Sequence, residues 1–177
     1  MSELNFIQVE EDSDELKQIV DDIMSIVNLY PDIFPHLYKQ DFKMEGRVLK
    51  GDVVYQDGVF ITFTEYSNTR RLSKNAFTRI KEGDVIIHQF GNKEPGNGKT
   101  REVLDLFMDH FRNKGAHTVF LTVRKENERA CRFYEKYGFT FDSDIHWNSK
   151  ETGKIEGSVY RYELKEYKKL KQFFNVD

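Results

Sequence analysis

The sequence predicts a mixed α/β fold in one domain, and three observations predict it. Apolar residues recur at three- and four-residue spacing in some stretches and alternate in others. Gln56-Asp57-Gly58 joins two β-rich runs, and Asp-Gly between such runs signals a hairpin. VIIHQF, from Val85 to Phe90, then passes through a glycine-containing loop into an amphipathic run opened by Gly98-Lys99-Thr100.

Taken in order, LNFIQVE (4–10) alternates and reads as a strand. Ser13 is placed to cap a helix whose stripe is Leu16, Ile19, Val20, Ile23, Ile26 and Val27, ending before Pro31. Phe34, Leu37, Tyr38 and Phe42 suggest a second short helix within 31–45, after an aromatic turn. Two strands flank Asp57-Gly58, and 67–83 reads as a loop or bent hairpin extension, polar, basic and solvated. A helix from Lys99 to Lys114 carries Val103, Leu104, Phe107, Met108 and Phe111 on one face and stops at Gly115. AHTVFLTV gives a strand, and Glu128 to Tyr137 a helix ended by Gly138. A strand FTFDSDIHW, a polar loop to Gly157, a strand GSVYRYEL and a short docked helix around Tyr167, Leu170 and Phe174 complete the order.

Composition narrows the function classes. A single domain spanning 1–177 is large enough to bury one core. The net charge of −3 argues against a dedicated nucleic-acid binder. One cysteine, Cys131, excludes an internal disulfide framework and fits a reducing compartment. Neither a signal h-region nor a run of about 20 apolar residues is present, so the expected location is cytoplasmic. His36, His110, His117 and His146 show no metal-ligand spacing with other His or Cys residues, and no metal is expected.

A glycine-rich turn feeding a helix presents unpaired N–H groups and the positive helix end to an anion. Gly98-Lys99-Thr100 matches the end of the G-x-x-x-x-G-K-[ST] nucleotide loop, but the position five before Gly98 is Lys93, and Gly91 is two residues too early. A coenzyme A pyrophosphate loop is the alternative.

The stretch LTVRKENERACRFYEKYGF (121–139) decides between them. It resembles the GNAT superfamily of acyl-CoA-dependent N-acyltransferases, whose pattern N-x-x-A-x-x-F-Y-x-x-x-G-F is met by Asn127, Ala130, Phe133, Tyr134, Gly138 and Phe139. The resemblance covers 84–139 by motif and implies a GNAT-like fold, a central mixed, splayed sheet flanked by helices. It sets Pro95, Gly96, Asn97, Gly98, Lys99 and Thr100 on the loop that cradles the acetyl-CoA pyrophosphate. Pro95 and Thr100 depart from the family pattern: proline removes one N–H, while Thr100 brings a hydroxyl.

The resemblance further implies roles. Tyr134 stands where the family keeps the acid that protonates the departing thiolate; by spacing alone it is equally a core aromatic on the stripe with Ala130, Phe133 and Tyr137. Phe90 marks where the pantetheine arm pairs with the strand, and Asn127 caps a helix and contacts the cofactor. The general base is Asp84, His88 or water. Cys131 is a filler rather than a nucleophile. Acceptor specificity is expected from Tyr30, Phe34 and His36 and from His146 and Trp147. The implied activity is transfer of acetyl from acetyl-CoA directly to a primary amine of a small molecule or protein. The other reading is a catalytically weak acyl-CoA-binding or interaction module. The amine acceptor is unidentified, nucleic acid and membrane are not expected as partners, and a homodimer is left open.

Overall fold

A computed structural model describes residues 3–150 and 153–164. Four helices and eight strands follow the order α1 (Asp14–Val27), α2 (Asp41–Leu49), β1 (Val53–Gln56), β2 (Val59–Glu65), β3 (Arg70–Arg71), β4 (Arg79–Ile80), β5 (Val85–Asn92), α3 (Lys99–Lys114), β6 (Thr118–Arg124), α4 (Glu128–Tyr137), β7 (Thr140–Ser149) and β8 (Gly153–Glu163). Six strands form one mixed sheet in the order β1-β2-β5-β6-β8-β7, and β3 and β4 form a two-stranded ribbon. The α/β class is therefore as the sequence predicts. The chain divides into two compact units, one from residues up to Phe63 with His88–Phe107, the other from Thr64–Ile87 and the chain from Met108 on.

In the first unit α1 begins where Ser13 Oγ accepts the Leu16 N–H at 3.1 Å, one of the donors that a helix start leaves orphaned. Its stripe of Leu16, Val20, Ile23, Met24, Ile26 and Val27 is buried against Met44 and Val48 of α2, Val53 of β1 and Phe60 of β2. Each such side chain contributes about 1.5–3 kcal/mol of burial. Asp57 and Gly58, with φ of 52° and 75°, form the tight turn joining β1 to β2, with Gln56 opposite Val59.

Two expectations fail in this unit. Residues 4–10 do not form a strand; they make one bridge, Phe6 to Val54. Their alternation is real, because Ile7 and Val9 pack on the α1 cluster, but it reports packing rather than a ladder. The second helix lies later than its aromatic spacing suggests. Pro31 and Pro35 lack N–H groups and Lys39 takes φ 53°, so 31–39 makes only separate turns, and α2 starts at Asp41 with Phe42 in solvent.

In the second unit β5 and β6 run parallel over three pairs, Val85–Val119 to Ile87–Leu121. β6 pairs antiparallel with β8, and β8 with β7. Of the two forms expected for 67–83 the structure has the hairpin extension, and it is docked rather than wholly solvated. β3 and β4 pair, and Ala76 and Ile80 are buried in a cluster with Ile86, Phe120, Ile145 and Val159. The polar stretch before Gly157 is also strand: β8 starts at Gly153, with His146 opposite Glu156 and Trp147 opposite Ile155. Its alternation is obscured by lysine and glutamate because both its faces there meet water or ion partners. The helix expected around Tyr167 lies outside the described residues.

Candidate functional site

The loop from Gly91 to Thr100 belongs to the first unit and is tied together by one side chain. Asn92, the last residue of β5 and buried, donates through Nδ2 to Asn97 Oδ1 at 3.1 Å and to Thr100 Oγ1 at 2.7 Å. Its Oδ1 accepts the Glu94 N–H at 2.9 Å, an Asx turn that reverses the chain after the strand. Asn97 Oδ1 in turn accepts the Lys99 N–H at 3.0 Å, so it caps α3. Gly96 and Gly98 take φ of 91° and 80°, which side chains rarely adopt. Space is not what demands glycine there, since a Cβ at either would meet nothing within 4 Å. At Gly91 it is: a Cβ would collide with the Phe60 ring and sit 3.2 Å from Phe34.

Among the described residues, the backbone N–H groups of Gly96, Asn97 and Gly98 are taken by no acceptor of the fold. They precede a 16-residue helix whose dipole adds partial positive charge at this end. Lys99 is half-buried, and its ammonium lies 2.8 Å from Glu102, which raises its pKa. Thr100 accepts from Asn92, and an accepting hydroxyl still has its own proton to donate.

Upstream in β5, Gln89 N donates to Thr62 Oγ1 at 3.0 Å, and the Thr62 hydroxyl donates back to Gln89 Oε1. The β5–β6 register ends at Ile87, while β5 runs five residues further. His88 and Phe90 are half-buried in this stretch. Burial, then the Arg47 charge, lowers the His88 pKa to about 4, so its imidazole is neutral at pH 7.

The other candidates belong to the second unit. Asp84 immediately precedes β5 and is 1% exposed. Its Oδ2 accepts the Lys81 N–H at 2.7 Å and its Oδ1 is buried without a partner. Burial raises its pKa, offset in part by the Lys81 N–H and by His117. Asp84 and His88 share a strand side by spacing, yet their charged neighbours differ: His117 and Glu163 for one, Arg47 for the other.

Asn127 caps α4, its Oδ1 accepting the Ala130 N–H at 3.2 Å. Tyr134 is 9% exposed, its ring 5.6 Å from both Phe133 and Phe139. Phe139 and Tyr137 continue this ring cluster to Tyr162 of β8. Burial pushes the Tyr134 phenol far above 10, with Cys131 adding to it, so the group is a protonated donor throughout the ordinary pH range. The Cys131 thiol faces the Arg124 carbonyl at 3.8 Å, and burial raises its pKa, the opposite of an activated nucleophile. Among the described residues no cluster of three or more His, Cys, Asp or Glu is placed to hold a metal, and no helix is long and apolar enough to cross a membrane.

The sequence marks the glycines of this loop, but neither Asn92 nor the Thr62–Gln89 clasp was read from it. An asparagine ending a strand two residues before Glu94 was a readable turn signal; Thr62 left none, because its partner is 27 residues away.

Comparison with known proteins agrees with the fold. The family described as Acetyltransferase (GNAT) family matches residues 23–139. No curated protein matches the sequence. Among solved structures, Ard1 from Thermoplasma volcanium is similar with a TM-score of 0.61 at 17% identity, covering 88% of this chain and 96% of that one. An N-acetyltransferase from Staphylococcus aureus Mu50 gives 0.60 at 13%, covering 84% and 94%. Arabidopsis thaliana NAA60, solved with a bisubstrate analogue, gives 0.57 at 15%, covering 81% and 92%. These likenesses are of fold.

Proposed function

The chain belongs to the acetyltransferase (GNAT) family, a family of acyltransferases, and from that premise we propose that it transfers acetyl from acetyl-CoA directly to a primary amine of a small molecule or protein. One observation carries the proposal: three consecutive N–H groups, at Gly96, Asn97 and Gly98, stand unbonded before α3 in a loop that Asn92 holds in shape. Such a cradle receives a pyrophosphate without reorganising, and the helix start adds favourable charge. The Thr100 hydroxyl supplies a side-chain donor in the same loop as Pro95, which has no N–H to offer.

In this reading β5 beyond Ile87 receives the pantetheine arm near Phe90. The neutral amine attacks the thioester carbonyl, the tetrahedral intermediate collapses, and the carbon–sulfur bond breaks as the carbon–nitrogen bond is kept. Tyr134 gives its proton to the departing sulfur, a role suited to a phenol that burial keeps protonated. The ammonium proton leaves through His88, Asp84 or water. His88 is neutral at pH 7 and so able to accept, while burial raises the Asp84 pKa and makes it a stronger base than an ordinary carboxylate. Asn127, Ala130 and Phe133 keep the assignment to the cofactor that the motif implies. This reading assigns no step to a metal.

Calorimetric titration with acetyl-CoA, followed by thiol release over a panel of amines, tests the proposal. Binding with turnover on at least one amine is expected. Binding with no turnover on any amine favours the acyl-CoA-binding module, and magnesium-dependent binding of ATP without acetyl-CoA binding refutes both.

A further inference from the structure

We propose that the cleft between the β3–β4 insert and the β7–β8 hairpin is a binding site for an acidic peptide segment that also carries an apolar side chain. The cleft encloses about 450 Å³, room for a few side chains. Its walls are held rather than loosely apposed. Asn75 Nδ2 donates to the His146 carbonyl at 3.3 Å, and the Thr78 hydroxyl bonds the Asp142 carboxylate and lies 2.7 Å from Ser143 Oγ. The floor is apolar, with Ala76 and Ile145 buried in the cluster beneath.

Charge and exposure identify the occupant. Arg71 and Lys74 line the cleft, both exposed, and neither has an acid partner among the described residues. The carboxylates on the opposite wall are already answered: Asp144 by Lys125 at 2.6 Å, and Glu156 by Lys154 at 3.0 Å. Among the described residues the uncompensated charge is therefore positive and lies on the insert's wall. Beside it Phe77 is 85% exposed, a large ring left in water next to two idle cations. A segment with one or two carboxylates and an apolar side chain satisfies all three groups at once. A nucleic acid fits less well, because its continuous phosphates call for more cations than Arg71 and Lys74 supply, on a chain of net charge −3. β7 is moreover the edge strand of the sheet, so an extended peptide has backbone groups within its reach. The site does not rest on the acetyl-transfer reading.

Fluorescence anisotropy on the full chain tests it, using a short labelled peptide alternating Glu with Leu and Phe, the same peptide with Lys for Glu, and an oligouridine of equal charge. Saturable binding of the acidic peptide alone is expected. Arg71→Glu with Lys74→Glu should weaken it about tenfold or more, and Phe77→Ser about threefold, since exposed pairs and one ring each contribute modestly. Lys17→Glu with Lys50→Glu, which changes net charge equally on α1 and after α2, should leave binding unchanged. All these side chains are exposed, so unchanged melting curves are expected and are checked alongside. No saturable binding of the acidic peptide, an equal loss in the Lys17/Lys50 control, or tighter binding of oligouridine through Arg71 and Lys74 would each overturn the proposal.

Discussion

Replacing Asn92 with Ala removes the side chain that shapes the candidate pyrophosphate loop. Three hydrogen bonds disappear together, to Asn97, Thr100 and Glu94. At about 1 kcal/mol net for each, their sum is about 3 kcal/mol. Two of the three hold the loop ends together and are not needed for α3 to persist, so roughly half of that sum should appear as loop disorder and be repaid when ligand binds. About 1.4 kcal/mol is a tenfold rise in the acetyl-CoA dissociation constant. The remainder lowers global stability, and about 1–2 kcal/mol corresponds to a drop in Tm of about 2–8 °C for a chain of this size. Asn92→Asp should be worse for binding: it keeps the acceptor for the Glu94 N–H but turns a carboxylate towards Asn97 Oδ1, Thr100 Oγ1 and any incoming phosphate. Titration calorimetry at fixed ionic strength, with differential scanning calorimetry on the same samples, separates the two contributions. If Asn92→Ala loses stability yet binds acetyl-CoA within about twofold of wild type, the loop is not where the pyrophosphate lies.

Three further outcomes are expected. Tyr134→Phe keeps the buried ring and should leave Tm and acetyl-CoA affinity unchanged while turnover at saturation falls about 10- to 100-fold; full turnover returns the hydroxyl to a purely structural role. His88 has a folded pKa of about 4 against 6.5 unfolded, so below pH 6.5 the unfolded chain takes up the proton first and stability falls as pH drops, by at most about 3.5 kcal/mol, the difference of about 2.5 units taken at about 1.4 each. Chemical denaturation at pH 7.5 and pH 5 should therefore show His88→Asn losing less stability than wild type on acidification, and parallel losses refute the desolvated histidine. Gly157→Ala places a Cβ into the Trp147 ring, 2.5 Å from Cη2, and 2.9 Å from the Val123 carbonyl, so overpacking should cost about 1–3 kcal/mol, read as a lowered Tm and a shifted tryptophan emission; an unshifted spectrum at wild-type stability shows that the ring yields freely.

By itself the sequence determined the features whose partners lie within one turn of chain. Ser13 and Asn127 bond N–H groups three residues on, Asp57-Gly58 closes its own hairpin, and α3 and α4 start and stop at the residues their stripes and glycines mark. These are set by local sterics and i to i+3 or i+4 neighbours, which spacing displays. The family motif from Asn127 to Phe139 was legible for the same reason: its spacing is that of one capped helix. Only the tertiary structure decided the rest. The alternation of 4–10 has its cause in packing on α1, not in a ladder, and no local signal tells those apart. The insert is polar because most of it faces water, yet Ala76 and Ile80 dock on Phe120 and Val159, 40 or more residues distant. The loop glycines could be read as an anion cradle, but that Asn92 holds them, and that the Gly96–Gly98 N–H groups stay unbonded, depends on where the chain returns after β5. Burial likewise sets the proton affinities of Tyr134, His88 and Asp84, because desolvation is a property of the surroundings and not of the residue.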